Sequence, residues 1–282
     1  MWKQKISISI YNNNYYKRPV EEIVSLIKSV GFDGISPEWA KDVCLDSLIA
    51  KAREEGLALV SFHAPYNGAA DIWSEDEAVG NAALADILSA LYDAHRYEIP
   101  VLVCHVWIGF GEEPMPTAKG LSRLEALVKK AKEYGITVAF ENTEGDEHLA
   151  AVMDHFKDEP SVGYCWDSGH EMCYNHSRDL LALYGDRLAV THLNDNLGIS
   201  RFNGDTFWTD DLHLLPYDGI ADWEDNIARL KKSRPLTYLN FELNRHSKPN
   251  RFDNERYANM TCEDYFSRAY AVACRIAYRY AK

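Results

Sequence analysis

Residues able to bind metals or move protons recur at the ends of short apolar runs along this chain. The runs finish in Phe62-His63-Ala64-Pro65-Tyr66, Cys104-His105-Val106-Trp107 and Phe140-Glu141-Asn142-Thr143. Three later ones finish in Trp166-Asp167-Ser168-Gly169-His170, Thr191-His192-Leu193-Asn194-Asp195 and Phe241-Glu242-Leu243-Asn244-Arg245. A lone His or Glu in such a place is ordinarily solvated or hydrogen-bonded. Six successive runs ending this way ask for a shared cause. Carboxylates gathered in one place repel each other and are costly to desolvate unless a cation compensates them. A divalent metal is the economical reading. Carboxylates plus imidazole suit manganese, the ion expected here, with zinc, cobalt, magnesium and iron as alternatives, and the lack of thiolates at these ends argues against a structural zinc site.

Those ends need a scaffold that gathers them. Strand-like segments fall at 5–10, 34–36, 57–62, 101–104, 137–140, 162–166, 188–191 and 237–241. Helix-period stretches lie between them at 20–30, 43–55, 75–97, 118–134, 146–156, 177–184 and 222–231. A last one, 261–280, opens on Thr261-x-x-Asp264, a box-like N-cap signal. Gly31, Gly56 and Gly135 follow the last periodic residue of a helix, where a left-handed cap is wanted. Eight strand–helix pairs predict an α/β fold, a single (β/α)₈ TIM barrel occupying residues 1–282 as one domain. In such a barrel all strand ends share the face that hosts active sites. The rival, a doubly wound open sheet, would show a glycine-rich turn after the first strand, where this chain has Tyr11-Asn12-Asn13-Asn14-Tyr15. The stretch 194–220 lacks a strong period. With Phe202, Phe207, Trp208, Leu212, Leu214 and Leu215 it is too apolar for a disordered tail, and it reads as a structured loop over the barrel mouth.

Composition narrows the function classes. At 46% hydrophobic residues the chain can bury a large core without staples. No apolar run approaches the ~20 residues of a membrane span, and the opening Met1-Trp2-Lys3-Gln4-Lys5 lacks the apolar centre of a signal peptide. The six cysteines form no Cys-x-x-Cys pair, so buried, reduced thiols in a cytoplasmic protein are expected. A net charge of −13 disfavours nucleic acid, whose binders ordinarily carry a basic stripe. A small-molecule partner is expected and no membrane; a homo-oligomer is compatible with the sequence.

His63-Ala64-Pro65-Tyr66, Glu141-Asn142-Thr143, Trp166-Asp167-Ser168-Gly169-His170, His192-Leu193-Asn194-Asp195 and the late Phe241-Glu242 together resemble the xylose-isomerase-like barrel superfamily. That group contains sugar and sugar-phosphate isomerases and epimerases, inosose dehydratases and isomerases, and zinc AP endonucleases. The resemblance runs in order over nearly the whole chain. It implies that Glu141, Asp167, His192 and Glu242 match the four metal ligands of the epimerase branch, with Glu141 and Glu242 as catalytic acid and base. His63, His105, His170, Asp211 and His213 match positions that complete a three-zinc cluster in the endonuclease branch, or serve a second metal or the substrate. The segment 31–38 ends in Glu38, similar to an acidic strand end of the epimerases. A basic, glutamine-rich DNA-penetrating loop is missing there, and Asn67 follows Tyr66 where the endonucleases would carry an apolar wedge. Asp211–Gly219 with Asp222-Trp223 also resembles the isomerase-like barrels.

The resemblance implies a metal-dependent sugar or sugar-phosphate isomerase or epimerase, with proton transfer next to a carbonyl through an enediolate. An inosose-type dehydratase or lyase, a multi-zinc AP endonuclease and a non-catalytic metal-dependent sugar-binding protein are the alternatives. Tyr66, Trp107 and Arg245 are candidate substrate contacts, Trp208 is a candidate apolar face for a sugar, and Trp166 reads as core. The basic stretch from Arg245 to Arg251 leaves open whether the substrate carries phosphate. A sugar-sized pocket or an open groove at the mouth would separate the main readings.

Overall fold

A computed structural model describes residues 4–11, 14–110, 115–200 and 207–282. Asn12, Asn13 and Phe202, named above, lie outside them. Parallel strands covered on both faces read as near-continuous apolar runs, and the barrel follows that rule: all six residues of Val162–Asp167 are buried. Strands β1 (Lys5–Ile10), β2 (Gly34–Pro37), β3 (Ala58–Leu59) and β9 (Tyr238–Phe241) form one parallel set. The other runs β4 (Phe62–His63), β5 (Val101–His105), β6 (Thr137–Glu141), β7 (Val162–Asp167) and β8 (Leu188–His192). The third strand of the sequence reading is thus two pieces, one paired with β2 and one with β5. A parallel bridge between Glu38 and His63 spans that seam. Across the other seam Leu193 N donates to Asn240 O (2.9 Å) and Glu242 N to Leu193 O (3.2 Å), joining β8 to β9. The parallel strands therefore curl into the expected TIM barrel.

Helices α1 (Val20–Val30), α2 (Asp46–Glu54), α3 (Glu77–Arg96), α4 (Ala118–Tyr134) and α5 (Asp146–His155) alternate with the strands. They are followed by α6 (Ser168–Cys173), α7 (Leu180–Tyr184), α8 (Trp223–Lys232), α9 (Glu255–Ala258) and α10 (Cys262–Ala281). The expected glycine caps hold: Gly31, Gly56 and Gly135 have φ of 118°, 67° and 69°. Two local expectations need correction. The helix expected at 177–184 is only Leu180–Tyr184, and a short helix directly after β7 went unforeseen. Its cause is local: the Asp167 carboxylate accepts from Gly169 N (2.8 Å) and His170 N (2.7 Å), capping α6 at once.

The described part of 194–220 is structured. Asp195 bridges Leu214 in antiparallel sense, and its carboxylate accepts from Tyr217 N (2.9 Å), Ala221 N (3.0 Å) and Trp223 Nε1 (2.8 Å). Leu212, Leu214 and Leu215 are buried beneath it. The six cysteines are free; Cys104, Cys165, Cys173 and Cys262 are buried, but Cys44 is exposed and Cys274 only partly covered. Among the described residues no helix is long and apolar enough to cross a membrane.

Candidate metal centre and its cavity

The strand ends converge as a parallel barrel requires. Glu141, at the end of β6, is fully buried. Its Oε1 lies 2.8 Å from His192 Nδ1, and its Oε2 lies 3.3 Å from both His63 Nε2 and His105 Nε2. His192 Nδ1 is also 3.1 Å from Glu242 Oε2. Ligand atoms of Glu141, Asp167, His192 and Glu242 all lie within 4.8 Å of one another. His170, His213 and Asp211 form the adjoining side: Asp211 Oδ2 is 2.8 Å from His213 Nε2 and 3.5 Å from His170 Nε2. His213 Nδ1 lies 3.8 Å from Glu242 Oε2, so the two sides share that carboxylate. All nine acidic and imidazole positions named from the sequence meet in one cluster.

The surroundings position these groups. Asp167 Oδ2 accepts from Asn194 Nδ2 (2.8 Å), while Asn142 Oδ1 accepts from Asp167 N (2.9 Å) and from Tyr164 Oη (2.9 Å). His170 Nδ1 sits 2.9 Å from the Asn142 carbonyl. Gly169 is required by this packing, because a Cβ there would strike the Asn194 amide.

Electrostatics balance charge within the cluster. Burial would raise the Glu141 pKa, yet His192, His105 and His63 hold it well below the ordinary carboxylate range. Burial likewise acts upward on Glu242, but His192 and His213 lower it to about 2. Asp167 goes the other way: burial raises it to about 6 against the pull of His170 and His213. Burial lowers the imidazoles, but Cys165, Glu141 and Glu242 overcome this in His192, and Asp167 and Asp211 in His170, so both end well above the usual histidine value.

Several features fit a metal. Glu141 Oε2, though wholly buried, makes no hydrogen bond, and neither does Asp211 Oδ1 or His105 Nδ1. Buried polar atoms are normally satisfied, and lone-pair donors converging without hydrogen bonds suit a cation. Oxygen and imidazole donors without thiolate suit a first-row divalent ion.

A cavity of about 520 Å³ opens above the cluster, lined by His63, His105, His170, His213, Asp211 and Glu242 at its polar end. Glu141 is not among its walls. Tyr66 lines it and stacks on His105, with ring centroids 5.3 Å apart. Glu38, Glu144, Tyr174, Trp208 and Lys248 line it too. Glu144 and Tyr174 went unnoticed in the sequence, although Glu144 follows the Glu141-Asn142-Thr143 motif directly.

Two suggested substrate contacts are corrected. Arg245 is buried, with its guanidinium donating to the carbonyls of Tyr257 (3.2 Å), Ala258 (3.5 Å) and Met260, so it ties the chain before α10 and leaves the cavity. Trp107 is buried against His148, stacked at 4.5 Å, and does not line the cavity. Trp166 is core, as expected, with Nε1 donating to Glu171 (2.9 Å).

A model of the family described as Xylose isomerase-like TIM barrel matches residues 24–260. The chain belongs to this family. Over 116 residues it is 34% identical to the uncharacterized protein y4fM of Sinorhizobium fredii (strain NBRC 101917 / NGR234), a match spanning 41% of this chain and 31% of that relative. Among solved structures it resembles the IolI protein with a bound zinc atom, with a TM-score of 0.74 and 16% identity over 97% of this chain and 98% of that one. It also resembles the D-psicose 3-epimerase of Clostridium cellulolyticum H10 with D-tagatose (TM-score 0.71, 13% identity, 96% and 99% covered). An L-ribulose 3-epimerase is similar (TM-score 0.71, 14% identity, 99% and 96% covered). At these identities the structural likeness is one of fold.

Proposed function

We propose that this chain is a divalent-metal-dependent isomerase or epimerase of an unphosphorylated carbohydrate, moving a proton at a carbon beside a carbonyl. The observation that carries the reading is the meeting of two buried carboxylates, Glu141 and Glu242, at one imidazole nitrogen, 2.8 and 3.1 Å away, with Glu242 reaching the cavity wall. Family membership and the sugar epimerases of the same fold support it.

Glu141, Asp167, His192 and Glu242 would hold the ion, with manganese expected. When bound, a divalent cation supplies Lewis-acid polarisation of a carbonyl and its neighbouring hydroxyl. Glu242 faces the cavity and is ionised at neutral pH, so its carboxylate is placed to take the carbon-bound proton. Glu141, fully buried and joined to Glu242 through His192, would be the second carboxylate of the pair, returning a proton to the opposite face or the neighbouring carbon once substrate and metal reorient it. Tyr66 and Glu38 bound the substrate from the β2–β4 side. Departure of a hydroxyl from the same enediolate would make the outcome dehydration. Phosphate is disfavoured, because Lys248 is the only lysine or arginine among the described wall residues and its Nζ lies 3.4 Å from Asp211. Arg251 is likewise spent on Asp210 (2.9 Å) and Asp253 (2.9 Å).

The test is proton exchange. Metal-loaded protein in heavy water, given a panel of ketoses, should place deuterium at a carbon beside the carbonyl, followed by NMR. Turnover of a ketose without solvent deuterium would favour hydride shift or internal return. No exchange or turnover across neutral sugars would sink the reading.

A second reading has one specific observation behind it. Asp167, His170 and His213 form a further candidate ligand group that shares Asp167 with the first, an arrangement a multi-metal phosphodiesterase would use. Elemental analysis showing three zinc ions per chain, with incision of abasic duplex DNA, would reverse the order. The net charge of −13 and the carboxylate-rich cavity weigh against it.

A further inference from the structure

We propose that the cavity contains a second, outer subsite, formed by Phe110, Tyr174, Phe207 and Trp208, that takes a glycosyl ring. The substrate is then a glycosylated keto-sugar and not a free monosaccharide. This rests on the sugar reading above and adds the size and class of the substrate.

The two ends of the cavity differ in chemistry. The inner end is imidazole and carboxylate, matched to the oxygens of a polyol. The other wall is aromatic, and its rings pack in succession from His170 round to Trp208. Ring centroids are 5.0 Å apart from His170 to Tyr174, 5.8 Å from Tyr174 to Phe110, 5.6 Å from Phe110 to Phe207 and 6.0 Å from Phe207 to Trp208. Phe110, Tyr174 and Trp208 line the same cavity as Glu242.

Phe110 and Trp208 are 37% and 40% exposed. Contiguous exposed aromatic surface on a soluble protein marks a binding site more often than it marks packing. A polyol's hydroxyls gain nothing from these rings. The C–H faces of a pyranose do, because aromatic faces are electron-rich and large, rigid rings bury area at low entropic cost. Lys248 adds a donor beside the ring: its Nζ lies 5.7 Å from the Trp208 centroid, and it lines the cavity. A volume of about 520 Å³ lies inside the ~300–1,000 Å³ range of small-molecule sites.

The experiment compares D-fructose with the glycosyl ketoses isomaltulose, maltulose and turanose on the metal-loaded full chain. Solvent deuterium uptake gives kcat and KM, and calorimetry gives Kd. At least one glycosyl ketose should exceed D-fructose in kcat/KM by about tenfold or more. Phe110→Ala and Trp208→Ala should remove most of that advantage, chiefly through KM and Kd, while Trp208→Phe restores much of it. Both residues are partly exposed, so the variants should fold. Exchange of D-fructose with no gain from any added ring overturns the subsite and leaves the sugar reading standing. A gain that survives both alanine variants overturns the placement. If no sugar binds or exchanges, the sugar reading falls and takes the subsite with it.

Discussion

Two polar networks are buried in the barrel, one built from hydroxyls and an amide, the other from carboxylates and imidazoles. In the first, Asn240 Oδ1 accepts from Ser7 Oγ (2.8 Å) and Ser36 Oγ (2.9 Å), and its Nδ2 donates to Ser9 Oγ (3.0 Å). Ser61 Oγ extends it by donating to Ser36 Oγ (2.9 Å), and Asn240 N donates to Thr191 Oγ1 (3.0 Å). Each side chain finds its partner inside the group. In the second network Glu141 Oε2 and Asp211 Oδ1 make no hydrogen bond despite full burial. The neutral set is complete in itself and reads as structure. The charged set is incomplete, and what would complete it is a cation.

The sharpest way to break this comparison is to neutralise the charged set. Glu141→Gln and Asp167→Asn should each weaken metal binding by roughly a hundredfold or more, read by elemental analysis after dialysis. Asn at 167 can still cap α6, so its effect would report the ligand and not the helix. Full occupancy in both variants would mean that these carboxylates are not ligands.

Next in size is the pH response. In metal-free protein His192 and His170 carry protons well above the ordinary histidine range, since Cys165 and the carboxylates around His192, and Asp167 and Asp211 around His170, outweigh burial. Such groups, with pKa raised on folding, stabilise the metal-free protein below the unfolded value of about 6.5, and that stabilisation disappears as pH rises through the folded value. Metal binding at His192 must expel its proton, and a cation beside His170 disfavours the charged imidazole, so affinity should rise with pH, and protons should be released on titration into weakly buffered protein. Below pH about 6 Asp167 gains a proton and affinity should drop further. The metal-induced gain in Tm should therefore widen between pH 6 and 8; a gain that is flat with pH would contradict this charge assignment.

The charged network was legible in the sequence and the neutral one was not. His63, Glu141, Asp167, His192 and Glu242 stand at the ends of apolar runs, where parallel topology leaves them one place to go. Ser7, Ser36, Ser61 and Asn240 sit within runs, and a lone Ser or Asn there has no signature until the barrel closes and turns it inward. The same limit explains Arg245 and Trp107. Both follow strand ends, but long side chains there can turn back to satisfy carbonyls or pack on a neighbour, and spacing does not say which. The helix after β7 was hidden because its cap, Asp167, had already been given a single role as ligand. The break in the third strand, at Val60 and Ser61, lies inside a stretch, 57–62, whose one polar residue is Ser61 itself, and a lone Ser does not mark a break by periodicity.

Removing the centre of the neutral set should affect stability and leave the metal alone. Asn240→Ala strips Ser7, Ser36 and Ser9 of their shared partner and opens a small void, a cost of about 2–4 kcal/mol by urea denaturation. Metal affinity should stay within about twofold, because the bonds that tie residue 240 to Thr191 and Leu193, on either side of His192, use its backbone and survive the substitution. A large loss of metal in this variant would show that the two networks are one.

The mildest test lies at the edge of the neutral set, where Ser61 touches only one member. Ser61 Oγ is a donor to Ser36 Oγ, which itself donates onward to Asn240. Ser61→Ala therefore deletes one neutral hydrogen bond and leaves Ser36 with its own donation intact, a loss of about 1 kcal/mol. The site is sensitive for a second reason: Ser61 lies between β3 and β4, two residues before His63, so it tests whether the seam is held by this bond or by the backbone. Val60 N donates to Ile35 O (2.9 Å) and Ala64 N to Val103 O (2.8 Å) on either side of it, and these should keep the strand in place. The expected result is a small fall in Tm with metal affinity and the pH response unchanged. If metal affinity fell with the stability, His63 would be positioned through the neutral network, and the division between a structural set and a binding set would have to be redrawn at Ser61.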